Sequence, residues 1–411
     1  MLDTQINNMS TTSILDQIIN NKKAEEVANL NAVEIINNLF GELVDRERDV
    51  LIKRHGLHGE SKETLESIGN DHNLTRERIR QIETNSVKKL QQLKNLEEYV
   101  NGLKNVIRLL LEEHGGMMEK EYLLEILVGF SLNSFRSEEK SENIHKNYLN
   151  FLITKLLHNE FEEENNHKHF KSFYKLKFHE ISHLEELVDE IFSKIKENKR
   201  IHTTEELIKA ASGMETYSKH KEKFDFEHTL DISNILNFDF FEENKELINQ
   251  NKIIYSVLKA AKRIEQNKFG HWGVDNWREI KPKTINDKIF LILKNHNKPL
   301  YFVDIAKHIN EVKFDNKIAN AATVHNELIL DSKYVLVGRG LYGLKDWGYK
   351  KGNVIDVIEE VLEEAEKPLS REEIIERVLE KRMVKKATII LALMNKDKFD
   401  RAGGRYTLVN V

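Results

Sequence analysis

The chain has 411 residues, 32% charged and 40% hydrophobic, with three prolines, which is room for about three to five small helix-rich domains. The absence of cysteine excludes disulfides and thiolate metal sites and suits a reducing cytoplasm, and no apolar run approaches the ~20 residues of a membrane span. A net charge of −5 argues against a nonspecific nucleic-acid coat, so any DNA contact has to be focused on a local basic face.

Residues 1–30 are polar and rich in Asn, with Ile14, Ile18 and Ile19 spaced for a short amphipathic helix. This composition reads as a flexible or partner-binding arm. Asp45 to Leu51 and on through Arg54-His55-Gly56-Leu57 reads as a helix with a glycine stop. Thr64 to Gly69 reads as a short helix, and His72-Asn73-Leu74 as a tight turn. Beyond it, Thr75 is placed to cap the next helix. Ile79, Ile82, Val87 and Leu90 recur at helical spacing and mark its inward face. Arg76 and Arg80 lie four apart, as do Glu77 and Gln81, so both pairs share the exposed side of the first two turns. Those side-chain types read base edges: arginine takes guanine, glutamine matches adenine, and a carboxylate accepts from cytosine. Glu77 is the most informative, because phosphate repels a carboxylate that makes no base contact. The alternative is an ordinary charged surface helix on which Glu77 complements the helix dipole.

Two helices joined by a tight turn predict a helix-turn-helix whose second helix enters the major groove. Residues 40–92 closely resemble region 4 of primary sigma-70-type bacterial sigma factors, through the segments RERD-VL, RHGL, TLESIG and TRERIRQIE. The resemblance implies binding to a minus-35 promoter element in double-stranded DNA and to the flap of the RNA polymerase β subunit. It places Arg76, Glu77, Arg80 and Gln81 at base edges and Arg78 close to the DNA. Arg46, Arg54, Leu65 and Glu66 match positions at or near the DNA backbone. His55 stands where the family usually has phenylalanine, a departure that bears on local packing rather than readout. The family's region 2, which melts the minus-10 strand with basic and aromatic residues, has no counterpart in the roughly 40 residues ahead of the motif, which lack Trp, Tyr and any aromatic cluster. A stand-alone promoter-melting factor is therefore not expected.

The rest of the chain reads as a repeat. Ile292-Leu293, Lys298-Pro299-Leu300, Ile305 and Ile309 recur as Val361-Leu362, Lys367-Pro368-Leu369, Ile374 and Val378, at the same offsets. Each copy closes on a Gly-rich hairpin pattern, at 335–344 and at 399–408. Three helices and a β-hairpin predict winged-helix modules. Segments ending Tyr174-Lys175-Leu176 and Trp272-Gly273-Val274 fit the same scheme less cleanly. The expected class is thus mainly α, a helix-turn-helix domain followed by a tandem array of winged-helix modules. The expected boundaries are a 1–30 arm, a 31–97 sigma-like domain, and modules at 98–180, 181–281, 282–349 and 350–411. Residues 284–348 resemble the HARE-type helix-turn-helix domain, found in the delta subunit of Gram-positive RNA polymerase and in some chromatin proteins. That resemblance puts Thr323, His325 and Asn326 on a recognition helix and Arg339 at a wing tip, for secondary contact with DNA or polymerase. Plain surface or capping use is the alternative for these four. Trp347 with Tyr342, and Trp272 with Trp277, read as core anchors rather than base-stacking platforms.

Other chemistry is not expected. His145, His158, His167 and His169 form a loose group in an acidic stretch that reads as a solvated loop rather than a metal site. The Gly-rich turns at 338–340 and 403–404 lack a Walker lysine. With no nucleophile–base pattern, the chain reads as no enzyme, needing no cofactor, metal, small-molecule substrate or membrane. Glu359, Glu360, Glu363 and Glu364 read as a solvated helix face or a mimic of DNA. Two or three base contacts worth roughly 1–3 kcal/mol each cannot select a genomic site, so tethering to a large partner is needed. The leading expectation is a cytoplasmic, nucleoid-associated sigma-like transcription factor. The alternatives are a polymerase-binding sigma competitor without promoter specificity and a polymerase-independent repressor.

Overall fold

A computed structural model describes residues 27, 30–133, 140–225, 229–349, 352–365, 367–381 and 384–409. The arm expected over 1–30 falls almost wholly outside them. The described chain is mainly helical, with small antiparallel sheets. It divides into two compact units, one made of residues 1–265 with 270–275 and the other of 266–269 with 276–411.

The first unit begins with α1 (Ala32–Gly41), α2 (Asp45–His55), α3 (Leu65–His72) and α4 (Arg76–Gln91). Helix α2 stops where expected, at Gly56, whose φ of +65° suits a residue without a Cβ. Helix α3 runs past the expected Gly69 end to His72, because Asn73 takes the left-handed turn (φ 54°). Val50, Ile68 and Ile79 form the buried centre of these helices, with Leu65, Leu74 and Ile82 packed around it.

The chain continues with α5 (Leu96–Glu113), β1 (Met117–Glu119), α6 (Lys120–Asn133), α7 (Lys140–Phe151), a π-helical turn (Leu152–Leu156), β2 (Glu162–Glu164) and β3 (Phe173–Lys175). The sheet order is β1-β3-β2. Next come α8 (Ser182–Asn198), α9 (Thr204–Ser212), α10 (Glu215–Lys219), α11 (Lys221–Phe224), α12 (Lys245–Gln250) and α13 (Lys252–Ala260). The strands β4 (Ile264–Gln266) and β5 (Trp272–Val274) follow and pair with each other. Between these segments, Lys252 and Glu113 form a fully buried ion pair at 2.6 Å. Glu113 also accepts from the Thr229 hydroxyl and amide, which supplies the partners a buried charge requires.

The second unit contains the clear repeat. One copy is α14 (Ile285–His296), β6 (Leu300–Tyr301), α15 (Phe302–Val312), α16 (Ala321–Leu330), β7 (Tyr334–Gly338) and β8 (Leu341–Leu344). The other is α17 (Val354–Ala365), β9 (Leu369–Ser370), α18 (Arg371–Lys381), α19 (Lys386–Ala392), β10 (Phe399–Ala402) and β11 (Arg405–Leu408). In each, the last strand is central, flanked by its hairpin partner and by the short strand after the first helix. That short strand, at Pro-Leu, is an element the sequence pattern did not announce. Leu300 stands opposite Tyr342, and Leu369 opposite Tyr406. In the first unit Met118 faces Tyr174 and His202 forms an isolated bridge with Trp272. The four aromatic residues are all buried. These small sheets fit winged-helix modules.

Candidate nucleic-acid interface

Helix α4 is fixed at its N-terminal end. Thr75 accepts from the Arg78 amide at 3.2 Å, satisfying a free donor of the first turn. At the turn before it, the Leu74 amide donates to the Gly69 carbonyl at 2.9 Å. A Cβ on Gly69 would lie 2.6 Å from the Leu74 carbonyl oxygen, so only glycine lets the two helices approach this closely. An ion pair and a hydrogen bond join α2 to α3. Lys53 reaches Asp71 at 2.9 Å and His72 reaches Asp49 at 2.7 Å. The Asp71 carboxylate raises the Lys53 pKa and is itself lowered by it.

Ile79 and Leu90 are fully buried, and Ile82 and Val87 partly so, as the helical spacing requires. Arg76, Glu77, Arg78, Arg80 and Gln81 are all exposed on the first two turns. Four of them are tied in two pairs at a spacing of three. Arg80 Nε and Nη2 donate to the two oxygens of Glu77 at 2.8 and 2.7 Å, and Arg78 donates to Gln81 at 3.2 Å. The hydrogen bond from Arg80 holds the Glu77 carboxyl below the usual carboxylate range. The result is a preformed row of two charged forks and an amide, open to solvent, of the kind that reads base edges.

Among the remaining candidates, Arg46 and Glu66 are exposed. Arg54 is half-buried, donating to the Glu63 carbonyl at 3.0 Å and standing 3.8 Å from Glu83. Leu65 is partly buried and packs against the core of the helix-turn-helix. His55 meets Phe151 edge-on at 5.0 Å and lies 3.4 Å from Glu83. The neighbouring His55 imidazole is the main cause that lowers the Glu83 pKa, although its Nε2 makes no hydrogen bond of good geometry. The unusual histidine thus serves packing.

Phe151 belongs to a surface that sequence patterning did not reveal. It also packs against Phe40 of α1 at 6.0 Å. Beside it Asn147 donates to the Gly56 carbonyl at 2.7 Å, Tyr148 meets His58 at 2.6 Å, and Gln91 donates to the Lys155 carbonyl at 2.7 Å. The helix-turn-helix is therefore built onto α7 and the π-turn, while the start of α4 stays uncovered.

In the second unit, Thr323 and Asn326 are exposed on α16 and Arg339 is exposed at the β7–β8 turn. His325 is half-buried, stacked on Phe302 at 4.5 Å and edge-on to Tyr342. Trp272 is buried, its indole donating to Thr204 at 2.7 Å, whereas Trp277 and Trp347 are only partly buried. The histidine group is not a single solvated loop: His145 is buried on α7 against Ser131, and His167 and His169 pair with Glu185 and Asp189. Among the described residues no group of His, Asp and Glu stands at metal-binding spacing, and no helix is long and apolar enough to cross a membrane. On α17, Glu359 pairs with Lys398, and Glu360 and Glu364 with Lys381.

Residues 39–92 match the family model described as Sigma-70, region 4. The chain is 46% identical over 67 residues to RNA polymerase sigma factor SigA of Microcystis aeruginosa, which is 16% of each chain. It is 41% identical over 75 residues to RNA polymerase sigma factor RpoD of Helicobacter pylori, which is 18% of this chain and 11% of that one. It is 31% identical over 99 residues to RNA polymerase sigma factor RpoS of Coxiella burnetii, 23% of this chain and 28% of that one. The chain thus spans less than a third of the length of these curated relatives.

Proposed function

We propose that this protein is a sigma-factor-like DNA-binding transcription factor that recognises a minus-35-like promoter element and associates with bacterial RNA polymerase in transcription initiation. The observation that carries the reading is the exposed row of Arg76, Glu77, Arg80 and Gln81 within the stretch matching Sigma-70, region 4. In this reading those four meet base edges, with Arg78 beside them. Arg46, Arg54, Glu66 and the backbone at Leu65 sit along the phosphates. The polymerase contact, the β flap included, supplies the tethering that one helix-turn-helix lacks. The module at 282–349 is read as HARE-type, with the exposed Thr323, Asn326 and Arg339 as its outward contacts and the half-buried His325 beside them. A cytoplasmic, nucleoid-associated location belongs to the same proposal.

Selection on minus-35-like duplexes tests it. Arg80→Ala should lower binding to the preferred duplex and flatten the preference at one or two base pairs. Equal binding of wild type and variant to every duplex would overturn promoter recognition. A second reading, a polymerase-binding competitor of sigma factors without promoter specificity, draws support from the match being confined to residues 39–92.

A further inference from the structure

The two repeats of the second unit share a frame but carry opposite surfaces. Ala322-Thr323-Val324 on α16 is matched by Ala387-Thr388-Ile389 on α19, with Val324 and Ile389 both fully buried. Leu328 matches Leu393, Tyr334 matches Phe399, and Tyr342 matches Tyr406, all buried. At the outward positions the copies part. Leu336 and Arg401 each stand opposite the central aromatic residue, and Leu336 is exposed. Leu341 is replaced by Arg405. Asn320 and Ala321, at the start of α16, are replaced by Lys385 and Lys386.

In the last copy charge is also segregated along the chain. Residues 384–409 hold six cations, Lys385, Lys386, Lys396, Lys398, Arg401 and Arg405, against two carboxylates, Asp397 and Asp400. Residues 354–381 hold ten carboxylates against four cations. All six cations are exposed; Lys398 is paired with Glu359, Arg405 donates to the Pro368 carbonyl at 3.3 Å, and Arg401 lies over the Tyr406 ring. The chain's overall negative charge therefore conceals one basic segment on an acidic support. Both aromatic residues of that segment, Phe399 and Tyr406, are buried, so it offers no platform for stacking unpaired bases. Its hairpin tip, Gly403-Gly404, has open space around it and is flanked by Arg401 and Arg405.

We infer that the α19–hairpin side of the C-terminal copy is a second nucleic-acid contact, gripping the phosphate backbone of duplex DNA without reading its sequence. The equivalent side of the preceding copy, neutral and partly apolar, does not share this role. The inference goes beyond the reading of residues 39–92 and stands if that reading fails.

The experiment measures binding of the full chain to a labelled duplex of scrambled sequence lacking any minus-35-like element, across a salt series. The variants are Lys385→Ala/Lys386→Ala/Lys396→Ala together, Arg80→Ala and Arg339→Ala. Circular dichroism checks that each folds. Losing three phosphate contacts should make the plot of log affinity against log salt shallower by about 2 to 3. It should also weaken binding at least tenfold at low salt, a larger loss than either Arg80→Ala or Arg339→Ala produces. A triple variant that binds like wild type overturns the inference, as does a wild-type chain that does not bind the duplex. Loss confined to Arg80→Ala would place the contact on α4, and loss confined to Arg339→Ala on the preceding copy. Either result also overturns it.

Discussion

Arg80 holds Glu77 by both arms of its guanidinium, at 2.7 and 2.8 Å, on the open face of α4. A carboxylate in this position would repel DNA if it stood alone. Fixed to Arg80, it can be presented to a base as one half of a neutral fork, with the arginine free to share its remaining donors. Glu77→Ala releases Arg80 to contact phosphate or a different base. The expected outcome is a changed base preference, by roughly ten- to a hundredfold at one position, with total DNA affinity retained and the melting temperature unchanged. Binding to a set of single-base duplex variants reads this out. An unchanged preference would show that the pair is only a surface ion pair.

Gly69 is a constraint of geometry rather than of chemistry. Gly69→Ala sets a methyl group 2.6 Å from a backbone oxygen, which no side-chain rotation relieves. The expected cost is about 1–3 kcal/mol, read by urea denaturation, with loss of DNA binding because the turn between α3 and α4 must open. A variant as stable as wild type would mean that the helices approach less closely than described.

The contact between the helix-turn-helix and α7 predicts coupled stability. Phe151 is buried against Phe40 and His55. Phe151→Ala should cost about 3–5 kcal/mol and speed amide exchange in α1 and α2 first. Exchange that rises only in α7 would indicate that the two parts are stable separately.

His183 gives the fold an acid-side sensitivity. It is buried beside His220 and Phe224, its Nδ1 has no hydrogen-bond partner, and burial pushes its pKa down to about 4 from 6.5. The imidazole is neutral in the folded chain while the unfolded chain takes up a proton, so stability is intact above pH 6.5. It then falls as pH drops toward 4, by roughly 3 kcal/mol at most. His183→Phe should flatten that part of the profile in thermal melts from pH 7 to 4. Parallel slopes for both proteins would remove His183 as the cause.

The sequence was most legible where local rules dominate. Thr75, Gly56 and the spacing of Ile79 and Leu90 define the ends and inner face of their helices by short-range chemistry, and the structure follows them. The repeated Lys-Pro-Leu pattern likewise located two copies of one fold. The short strands at Leu300 and Leu369 were missed because two residues carry no periodicity, and their partner lies far along the chain. The end of α3 moved because Asn73, not Gly69, takes the left-handed turn. The seat of the helix-turn-helix on Phe151 was invisible for the same long-range reason. His55 was the one local hint, since a histidine at a usually aromatic position signals a different neighbour. The mutual pairing of Glu77 with Arg80 was within reach of helical spacing, but i to i+3 and i to i+4 partners compete on an exposed face.

We propose that this chain works at promoters together with RNA polymerase. The direct measurement is retention on immobilised core RNA polymerase, with and without a minus-35 promoter duplex, for wild type and Arg80→Ala. Retention of wild type that the duplex strengthens and Arg80→Ala weakens is the predicted result. Binding to the duplex with no retention on polymerase would contradict the account and leave an independent DNA-binding regulator.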